Sequence, residues 1–368
     1  MKILHITNSI SEGGVGTYLL SLLPALKKIG HSVELLALDK NNTDLAFEME
    51  RQNIKVHIGK YKNVYDLRNI FFIRLYIKRG NYDIIHTHLF PTQYFFAIAR
   101  MSEKSNVKVI TTEHTNYNKR RNYVIFLFLE RMIYKQYDVI VACSNDAANN
   151  LKRWLNHVEI NHKINAIVNG INLRKFIEAT KYSKQELNLP NNAKILIMVA
   201  RFSNQKDHKT VIRAVTLLDK SIHVLFCGSG KGGINECCRL ARTLGVDKRI
   251  HFLGNRTDIP KLLRSSDIAI LSSFYEGMPL SLMEYMAAGL PSVCTNVDGS
   301  REFAQNYGIL FPVGDYQCLA SEITLLLENK EYYNEVAQRC YNRVQDFSED
   351  KMISNYLSLY NGLLCKTN

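Results

Sequence analysis

The sequence has no apolar run of the roughly 20 residues that crossing a bilayer needs, and it has no CxxC pair. The apolar stretch near the start, within MKILHITNSISEGG, is too short for the core of a secretory signal. Eight scattered cysteines without a paired spacing are typical of thiols kept reduced. We therefore expect a cytoplasmic protein, with the inner face of the membrane as a further place of action.

Composition excludes a disordered or fibrous chain, since 46% hydrophobic and 22% charged residues are close to globular averages. With 368 residues, two domains are the expectation. The net charge is +13, and residues 1–169 carry +9 of it, from 23 Lys and Arg against 14 Asp and Glu. A basic half attracts anionic membranes or phosphorylated substrates. Basic residues are not interleaved with aromatics in a groove-like pattern, so we expect no nucleic-acid partner.

Short apolar runs alternate with longer amphipathic ones along the whole chain. The runs KILHIT, SVELLAL, DIIHTH, VKVITTEH and DVIVACS predict an α/β fold with a doubly wound, mainly parallel sheet. After a polar stretch the alternation restarts at KILIMVARF, which predicts a second α/β domain. We place the domains at 1–170 and 171–350, with a terminal helix over 351–368 that is able to return to the first domain. In such sheets ligands bind beyond the carboxyl ends of the strands.

The first strand ends in a glycine-rich turn, SISEGGVGTYLL. Gly13, Gly14 and Gly16 precede a helix there, so backbone amides and a positive helix terminus are able to approach an anion closely. Glycines at such a turn also serve turn geometry alone. Both interpretations stay open at this point.

A second strand-end loop carries two cations, in MVARFSNQKDHKTVIRA. Arg201 and Lys206 lie five residues apart in it and are suited to clamping a diphosphate. The alternative is a solvated loop. The chain contains no Asp-x-Asp pair, the usual carboxylate arrangement for holding a metal on such a ligand, so we expect no metal site and no cofactor.

The most informative stretch is DIAILSSFYEGMPLSLMEYMAAGLPSVCT, a strand, a loop and a helix. Glu276 and Gly277 fall in the loop, Pro279 opens the helix, and Gly289 ends it. Glu284 then lies one turn beyond the helix N-terminus, where a carboxylate suits the two vicinal hydroxyls of a ribose. Glu276 is placed to reach the hydroxyls of a sugar. The alternatives are a helix-capping acid and a surface glutamate.

The segment EGMPLSLME resembles the paired-glutamate motif of the retaining glycosyltransferases of family 4, the glycosyl transferases group 1. The segments VNGINLRKF, ARFSNQKDHKTVIRA, FCGSG, RIHFLG and GGVGTYLLSL resemble the other motifs of that family in the same order. The resemblance covers nearly the whole chain. It implies a GT-B fold, in which two Rossmann-like domains face each other across a cleft.

The resemblance also implies roles for individual residues. Arg201 and Lys206 would bind the donor diphosphate, Glu284 the ribose and Glu276 the transferred sugar, with His114 near that sugar. His86 and His88 are weaker candidates, because strand histidines are often structural. The implied catalytic residues are Glu276, His114, Arg201 and Lys206. The implied donor-binding set is Gly14, Gly16, Arg201, Lys206, Glu276, Gly277, Met278, Pro279, Leu280 and Glu284.

By the same resemblance, the reaction is retaining transfer of a hexose or N-acetylhexosamine from a nucleotide-diphosphate sugar, UDP-sugar by default. The acceptor would be a saccharide or lipid-linked saccharide in bacterial surface polysaccharide synthesis. Two alternatives remain: a sugar-nucleotide epimerase of the same architecture, and a non-catalytic nucleotide-sugar-binding subunit.

A basic segment precedes an apolar helix in NYNKRRNYVIFLFLERMIYKQY. Lys119, Arg120 and Arg121, together with this helix, form a candidate patch for peripheral contact with an anionic membrane. The alternative is that the apolar residues only cover the sheet.

Overall fold

The computed structural model describes residues 1–11, 14–41, 43–103, 105–115 and 118–365, apart from the side chain of Lys231. The chain divides into two compact units. The first comprises the residues up to Gly170 and the stretch from Glu349 onward, and the second comprises Ile171–Ser348.

The first unit is built on a seven-stranded parallel sheet with the order β3-β2-β1-β4-β5-β6-β7. Its central strands are buried on both faces, and they bury histidine and threonine side chains as well as apolar ones. The strands are β1 (Lys2–Thr7), β2 (Ser32–Ala37), β3 (Lys55–Ile58), β4 (Ile84–His88), β5 (Lys108–Glu113), β6 (Val139–Ala142) and β7 (Ile164–Ala166).

Eight α-helices accompany this sheet in the described residues. They are α1 (Gly14–Lys28), α2 (Ala46–Arg51), α3 (Arg68–Arg79), α4 (Thr92–Met101), α5 (Val124–Lys135), α6 (Asn145–Leu155), α7 (Val158–Asn161) and, from the C-terminus, α16 (Glu349–Cys365). The last helix packs on α1 and buries four side chains in the core of this unit, Met352, Ile353, Tyr356 and Tyr360.

The second unit has a six-stranded parallel sheet with the order β10-β9-β8-β11-β12-β13. Its strands are β8 (Lys194–Val199), β9 (Ile222–Cys227), β10 (Ile250–Gly254), β11 (Ile268–Leu271), β12 (Ser292–Thr295) and β13 (Ile309–Phe311). Its α-helices are α8 (Leu173–Ile177), α9 (His208–Val215), α10 (Lys231–Thr243), α11 (Ile259–Arg264), α12 (Leu280–Ala287), α13 (Asp298–Ala304), α14 (Tyr316–Glu328) and α15 (Lys330–Val344).

Short 3-10 helices complete the description, at Lys119–Asn122, Asp247–Arg249 and Gln345–Phe347. Across the described ranges, no helix is both long and apolar enough to cross a membrane. The strand order confirms the predicted α/β class with two doubly wound parallel sheets.

Strand order reverses at one place in each sheet, between β1 and β4 and between β8 and β11. In doubly wound sheets the connections leave toward opposite faces at such a switch point, which opens a crevice beyond the carboxyl ends of the strands. The two switch points are therefore where chemistry is expected, one in each unit.

Candidate functional site

Two loops meet at the switch point of the second unit, one after β8 and one after β11. The backbone amide of Asp207 donates to the Ser272 carbonyl at 2.9 Å, and the amide of Phe274 donates to the Gln205 carbonyl at 2.9 Å. Lys206 and Ser273 thereby form an isolated antiparallel bridge. This bridge fixes the two loops against each other, so the residues they carry are held in place by backbone.

Glu276 is the residue on which this arrangement converges. Its side chain is 6% exposed and forms an ion pair with Lys206. The Ser273 hydroxyl donates to Oε1 of Glu276 at 2.6 Å, and Nε2 of Gln205 lies 3.4 Å from Oε2. A buried carboxylate needs such partners to stay charged. Glu276 is therefore a fixed anion with Oε2 less engaged than Oε1.

Arg201 lies in the same loop as Lys206 but differs from it in surroundings. Its side chain is exposed, and no described hydrogen bond or ion pair engages its guanidinium. Next to it, the ring of Phe202 stacks on His208 with the centroids 4.0 Å apart and anchors the loop. Within the described part of the chain, the guanidinium of Arg201 is thus unengaged, whereas Lys206 is already paired with a carboxylate.

Glu284 lies on α12, as the Pro279 and Gly289 boundaries predicted. Pro279 precedes the first helical residue, and Gly289 follows the helix with φ +77°. Burial raises the pKa of Glu284 to about 7, and Lys175 acts in the opposite direction. None of the described side chains forms a hydrogen bond or ion pair with its carboxyl group. A half-buried carboxyl of this kind is suited to accept from a ligand.

The segment between the two glutamates approaches the helix that follows β12. A methyl group on Gly299 would lie 1.9 Å from the carbonyl oxygen of Gly277. The side chains of Met278 and Pro279 are buried, and Leu280 is partly exposed. A ligand would therefore meet Met278 and Pro279 through backbone, and the start of α12 has no side-chain cap among the described residues.

The glycine turn after β1 has two different kinds of glycine. A Cβ on Gly16 would lie 2.2 Å from the Ser11 carbonyl oxygen and 2.8 Å from Cδ1 of Leu45, so the turn itself requires this glycine. A Cβ on Gly14 would meet nothing within 4 Å. Gly13 lies outside the described residues. Turn geometry explains Gly16 and leaves Gly14 available to a ligand.

His114 follows β5 and is linked to two further histidines. Its Nε2 lies 3.0 Å from Nδ1 of His88, and Nε2 of His88 lies 3.0 Å from Nδ1 of His5. Burial lowers the pKa of His114 to about 3, so its ring is neutral at physiological pH. The structure thus joins His88, a weaker candidate from sequence, to His114.

His5 was missed by the sequence reasoning. The strand register in the structure is what brings His5 to the other histidines, because His5 pairs directly with His86 across β1 and β4. Ring nitrogens of the buried residues His5, His86 and His88 all lie within 4.8 Å of one another. These are ligand types that a divalent ion accepts, although His86 already hydrogen-bonds Tyr360 and Thr112.

The basic segment before α5 differs from the expected exposed patch. The Arg120 guanidinium lies 3.9 Å from the ring centroid of Phe90 and 3.6 Å from Glu130, and Arg121 lies 3.8 Å from Glu113. Both arginines turn inward because two buried carboxylates require counter-charges. The prediction of a three-residue basic surface is therefore wrong for Arg120 and Arg121, while Lys119 is exposed.

The apolar part of that patch is present. On α5 and the residue before it, large apolar side chains face solvent at helical spacing. A second set of exposed apolar side chains lies on α3 and the residue before it. The exposed residues are Tyr123, Val124, Ile125, Phe128 and Met132 in the first case and Leu67, Phe71 and Leu75 in the second. The alternative that these residues only cover the sheet does not account for them.

Comparison with known proteins agrees with this geometry. The model of Glycosyltransferase Family 4 matches residues 12–175, and the model of Glycosyl transferases group 1 matches residues 180–343. An N-acetyl-alpha-D-glucosaminyl L-malate synthase of Bacillus anthracis is 28% identical over 98% of this chain and 96% of its own. A UDP-Gal:alpha-D-GlcNAc-diphosphoundecaprenol alpha-1,3-galactosyltransferase of Escherichia coli is 25% identical over 80% of this chain and 79% of its own.

The crystal structure of Anabaena HepE in complex with UDP and glucose superimposes with a TM-score of 0.87 at 18% identity, covering 98% of this chain and all of that one. Two parallel-sheet units of this kind have the GT-B fold. The chain belongs to the group 1, family 4 glycosyltransferases.

Proposed function

We propose that this enzyme transfers a hexose or N-acetylhexosamine, with retention of anomeric configuration, from a UDP-sugar to a saccharide or lipid-linked saccharide acceptor. The observation that carries the proposal is the ion pair of Lys206 with Glu276, because the loop that supplies Lys206 also presents the exposed guanidinium of Arg201. This arrangement supplies positive charge for a leaving diphosphate and a fixed carboxylate for sugar hydroxyls. The Anabaena structure, with UDP and glucose bound, supports the choice of nucleotide.

The donor diphosphate is assigned to Arg201 and Lys206. A guanidinium offers a planar fork for phosphate oxygens, and an ammonium has three N–H donors, so pairing with Glu276 leaves Lys206 further donors. The first amides of α12, near Leu280, have no side-chain cap among the described residues, and they add donors and a positive helix terminus. We propose that these cations replace a metal, consistent with a chain that has no Asp-x-Asp pair.

The ribose and the transferred sugar are assigned to the two glutamates. Glu284 has no partner among the described residues and is therefore free to accept from both ribose hydroxyls. Glu276 uses Oε1 for Lys206 and Ser273, which leaves Oε2 lone pairs for hydroxyls of the sugar. In the first unit, Gly14 and Gly16 are proposed to approach the diphosphate, and His114 the transferred sugar.

The mechanism we propose rests on positioning and charge. As the bond between sugar and phosphate lengthens, the sugar becomes oxocarbenium-like and negative charge grows on the diphosphate, where Arg201 and Lys206 stabilise it. Glu276 is held by Lys206 and Ser273, so it is poorly placed to act as a free nucleophile. We infer that the acceptor attacks from the face that the nucleotide leaves and that a donor phosphate oxygen takes its proton.

A lipid-linked acceptor is favoured by the exposed apolar residues on α5. Ile125 is 73% exposed and Phe128 62% exposed on one helix, and an amphipathic surface of this kind binds at a membrane interface. The E. coli relative is named for a diphosphoundecaprenol substrate. We therefore propose action at the cytoplasmic face of a membrane, in surface polysaccharide assembly.

A second candidate is a small soluble acceptor. The Bacillus anthracis relative, which aligns over almost the whole chain, is named as an N-acetyl-alpha-D-glucosaminyl L-malate synthase. A hydroxy acid in place of a lipid-linked saccharide would keep the donor assignments unchanged.

The test is a panel of nucleotide sugars offered with membrane extract or with L-malate, scored for nucleotide release and for sugar found in lipid or in the soluble product. We expect a UDP-sugar with membrane extract to give lipid-bound sugar. The Glu276→Gln variant should transfer at least roughly a hundredfold more slowly while remaining folded. Near-normal transfer by that variant would contradict the assignment of Glu276.

The same assay separates the rival functions. An epimerase would convert the nucleotide sugar into another one with no acceptor present. A non-catalytic subunit would bind the donor and release no nucleotide under any condition. Transfer to L-malate alone would select the soluble acceptor.

A further inference from the structure

Three imidazole rings form a hydrogen-bonded row at the switch point of the first unit. Nδ1 of His5 lies 3.0 Å from Nε2 of His88, and Nδ1 of His88 lies 3.0 Å from Nε2 of His114. His5 and His88 are fully buried on β1 and β4, and His114 follows β5 and is partly exposed. The row therefore runs from the core to the edge of the sheet where ligands are expected.

All three rings are neutral. Burial lowers the pKa of His5 and of His114 to about 3, and burial together with the neighbouring histidines lowers the pKa of His88 well below its usual value. A neutral imidazole carries one N–H and one bare nitrogen. Because His88 uses both nitrogens in the row, its two hydrogen bonds must point in the same direction along it.

The buried end of the row decides the direction. Nε2 of His5 is buried and has no partner among the described residues. If the protons pointed inward, this atom would be an N–H donor with nothing to bind, and buried N–H groups without a partner are the rarer and costlier defect. If the protons point outward, Nε2 of His5 carries no hydrogen and is left only with an unused lone pair. The outward direction places the proton of His88 on Nδ1 and that of His114 also on Nδ1.

We propose that His5 and His88 are positioning residues that hold His114 as the Nδ1-protonated tautomer, so that His114 presents an N–H donor to its ligand. This inference rests on the proposed function in assigning His114 to the transferred sugar. Nδ1 of His114 has no hydrogen-bond partner among the described residues. The group that it recognises must therefore be an acceptor oxygen, such as a sugar hydroxyl oxygen or the oxygen leaving with the nucleotide.

Among the described residues, the row ends at Nε2 of His5, which has no partner there. We therefore assign the row a role in positioning and not in proton transfer. His86 packs beside His88, with ring centroids 4.3 Å apart, but binds Tyr360 and Thr112 instead. It is therefore outside the row and serves as a matched control for a buried histidine.

The first test reads the tautomers directly, by nitrogen-15 NMR of the histidine rings in the ligand-free enzyme. Substitution of each of the three histidines in turn assigns the signals. We expect His114 and His88 to carry their protons on Nδ1. A proton on Nε2 of His114, a charged ring at neutral pH, or stoichiometric zinc in the purified protein by mass spectrometry would each overturn the proposal, because a metal would occupy the nitrogens that the row uses.

The second test uses substitutions at His88. An asparagine amide nitrogen lies near the place of Nδ1, whereas a glutamine amide lies near that of Nε2, so His88→Asn retains a donor to His114 and His88→Gln does not. We expect His88→Asn to keep the His114 tautomer and most of the turnover. In His88→Gln and His88→Leu, the ring of His114 should no longer be fixed as the Nδ1-protonated tautomer. The kcat of both variants should fall roughly tenfold, with little change in the donor KM. His86→Gln should leave the tautomer unchanged.

The outcomes separate the two proposals. An unchanged His114 tautomer in His88→Leu would overturn the positioning role, whatever the turnover. If instead the wild-type tautomer is as expected but His114→Ala transfers sugar normally, the role of His114 in the proposed function fails while the role of the row in setting the tautomer stands.

Discussion

Lys206 and Glu276 lie 70 residues apart in the sequence and form an ion pair between two neighbouring strand-end loops. The lysine side chain is 15% exposed and that of the glutamate 6%. The backbone bridge between the loops sets the pair before any ligand is present. Lys206 thus holds the carboxylate. In the proposed function it also binds the donor diphosphate, whereas Arg201 has only this second role.

This difference predicts different costs of removing the two cations. Lys206→Met leaves a buried carboxylate without its counter-charge and should lower the free energy of unfolding by about 3 kcal/mol. Arg201→Met removes an exposed charge and should change it by less than about 0.5 kcal/mol. Thermal and urea unfolding measure both, and both variants should lose transfer activity.

The double variant Lys206→Met with Glu276→Gln provides the control. Without the unpaired charge, most of the lost stability should return, although transfer should not. Equal stability losses in the Lys206 and Arg201 variants would show that the ion pair does not hold the loop.

The raised pKa of Glu284 predicts that donor binding depends on pH. Burial raises its pKa to about 7, and only the ionised carboxyl accepts from both ribose hydroxyls. Affinity for a UDP-sugar should therefore rise up to about tenfold between pH 6 and pH 8. Calorimetry in buffers of different ionisation enthalpy should also show a proton released on binding at pH 6.

The carboxyl group of Glu284 also makes the stability of the folded state depend on pH. Because the folded state raises the pKa, protonation of Glu284 favours the native state at pH values below its ordinary pKa, and this contribution is lost as pH rises through 7. Between pH 5 and pH 8, the Tm of Glu284→Gln should fall less than that of the wild type. If Glu284→Gln retains the full pH dependence of UDP-sugar affinity described above, a group other than Glu284 causes that dependence.

The two glycines of the turn after β1 should respond differently to alanine. Gly16→Ala places a methyl group 2.2 Å from the Ser11 carbonyl oxygen, and overpacking of this kind costs about 1–3 kcal/mol. Gly14→Ala meets open space and should leave Tm nearly unchanged. A raised donor KM in Gly14→Ala would then report ligand contact alone, and an unchanged KM would remove Gly14 from the donor site.

The apolar surface of α5 predicts membrane binding. Ile125→Asp with Phe128→Asp should lower sedimentation with vesicles containing anionic lipid at least roughly tenfold, because each substitution removes apolar contact and adds repulsion. Leu325→Asp, at an exposed site on α14, is the matched control and should bind as the wild type does. Transfer to a water-soluble acceptor should be unaffected in both variants. Unchanged sedimentation of the α5 variant would place the acceptor in solution.

The sequence by itself determined the features that depend on local pattern. Pro279 and Gly289 bounded α12 correctly, because proline suits the start of a helix and glycine adopts the positive φ that follows its end. Buried strands read as apolar runs, so both sheets were predictable. The edge strands β3, β7 and β13 were not, since three or four residues at an edge are too few for a recognisable pattern.

Tertiary structure alone decided which of these residues meet. Lys206 reaches Glu276 because β8 pairs with β11, a strand three places later in the chain, and local pattern does not specify the pairing of distant strands. For the same reason His5, unremarkable within KILHIT, lies in a row with His88. Arg121 appeared to belong to a basic surface and instead turned to a buried carboxylate, because the cost of an unpaired buried charge outweighs the preference of arginine for water.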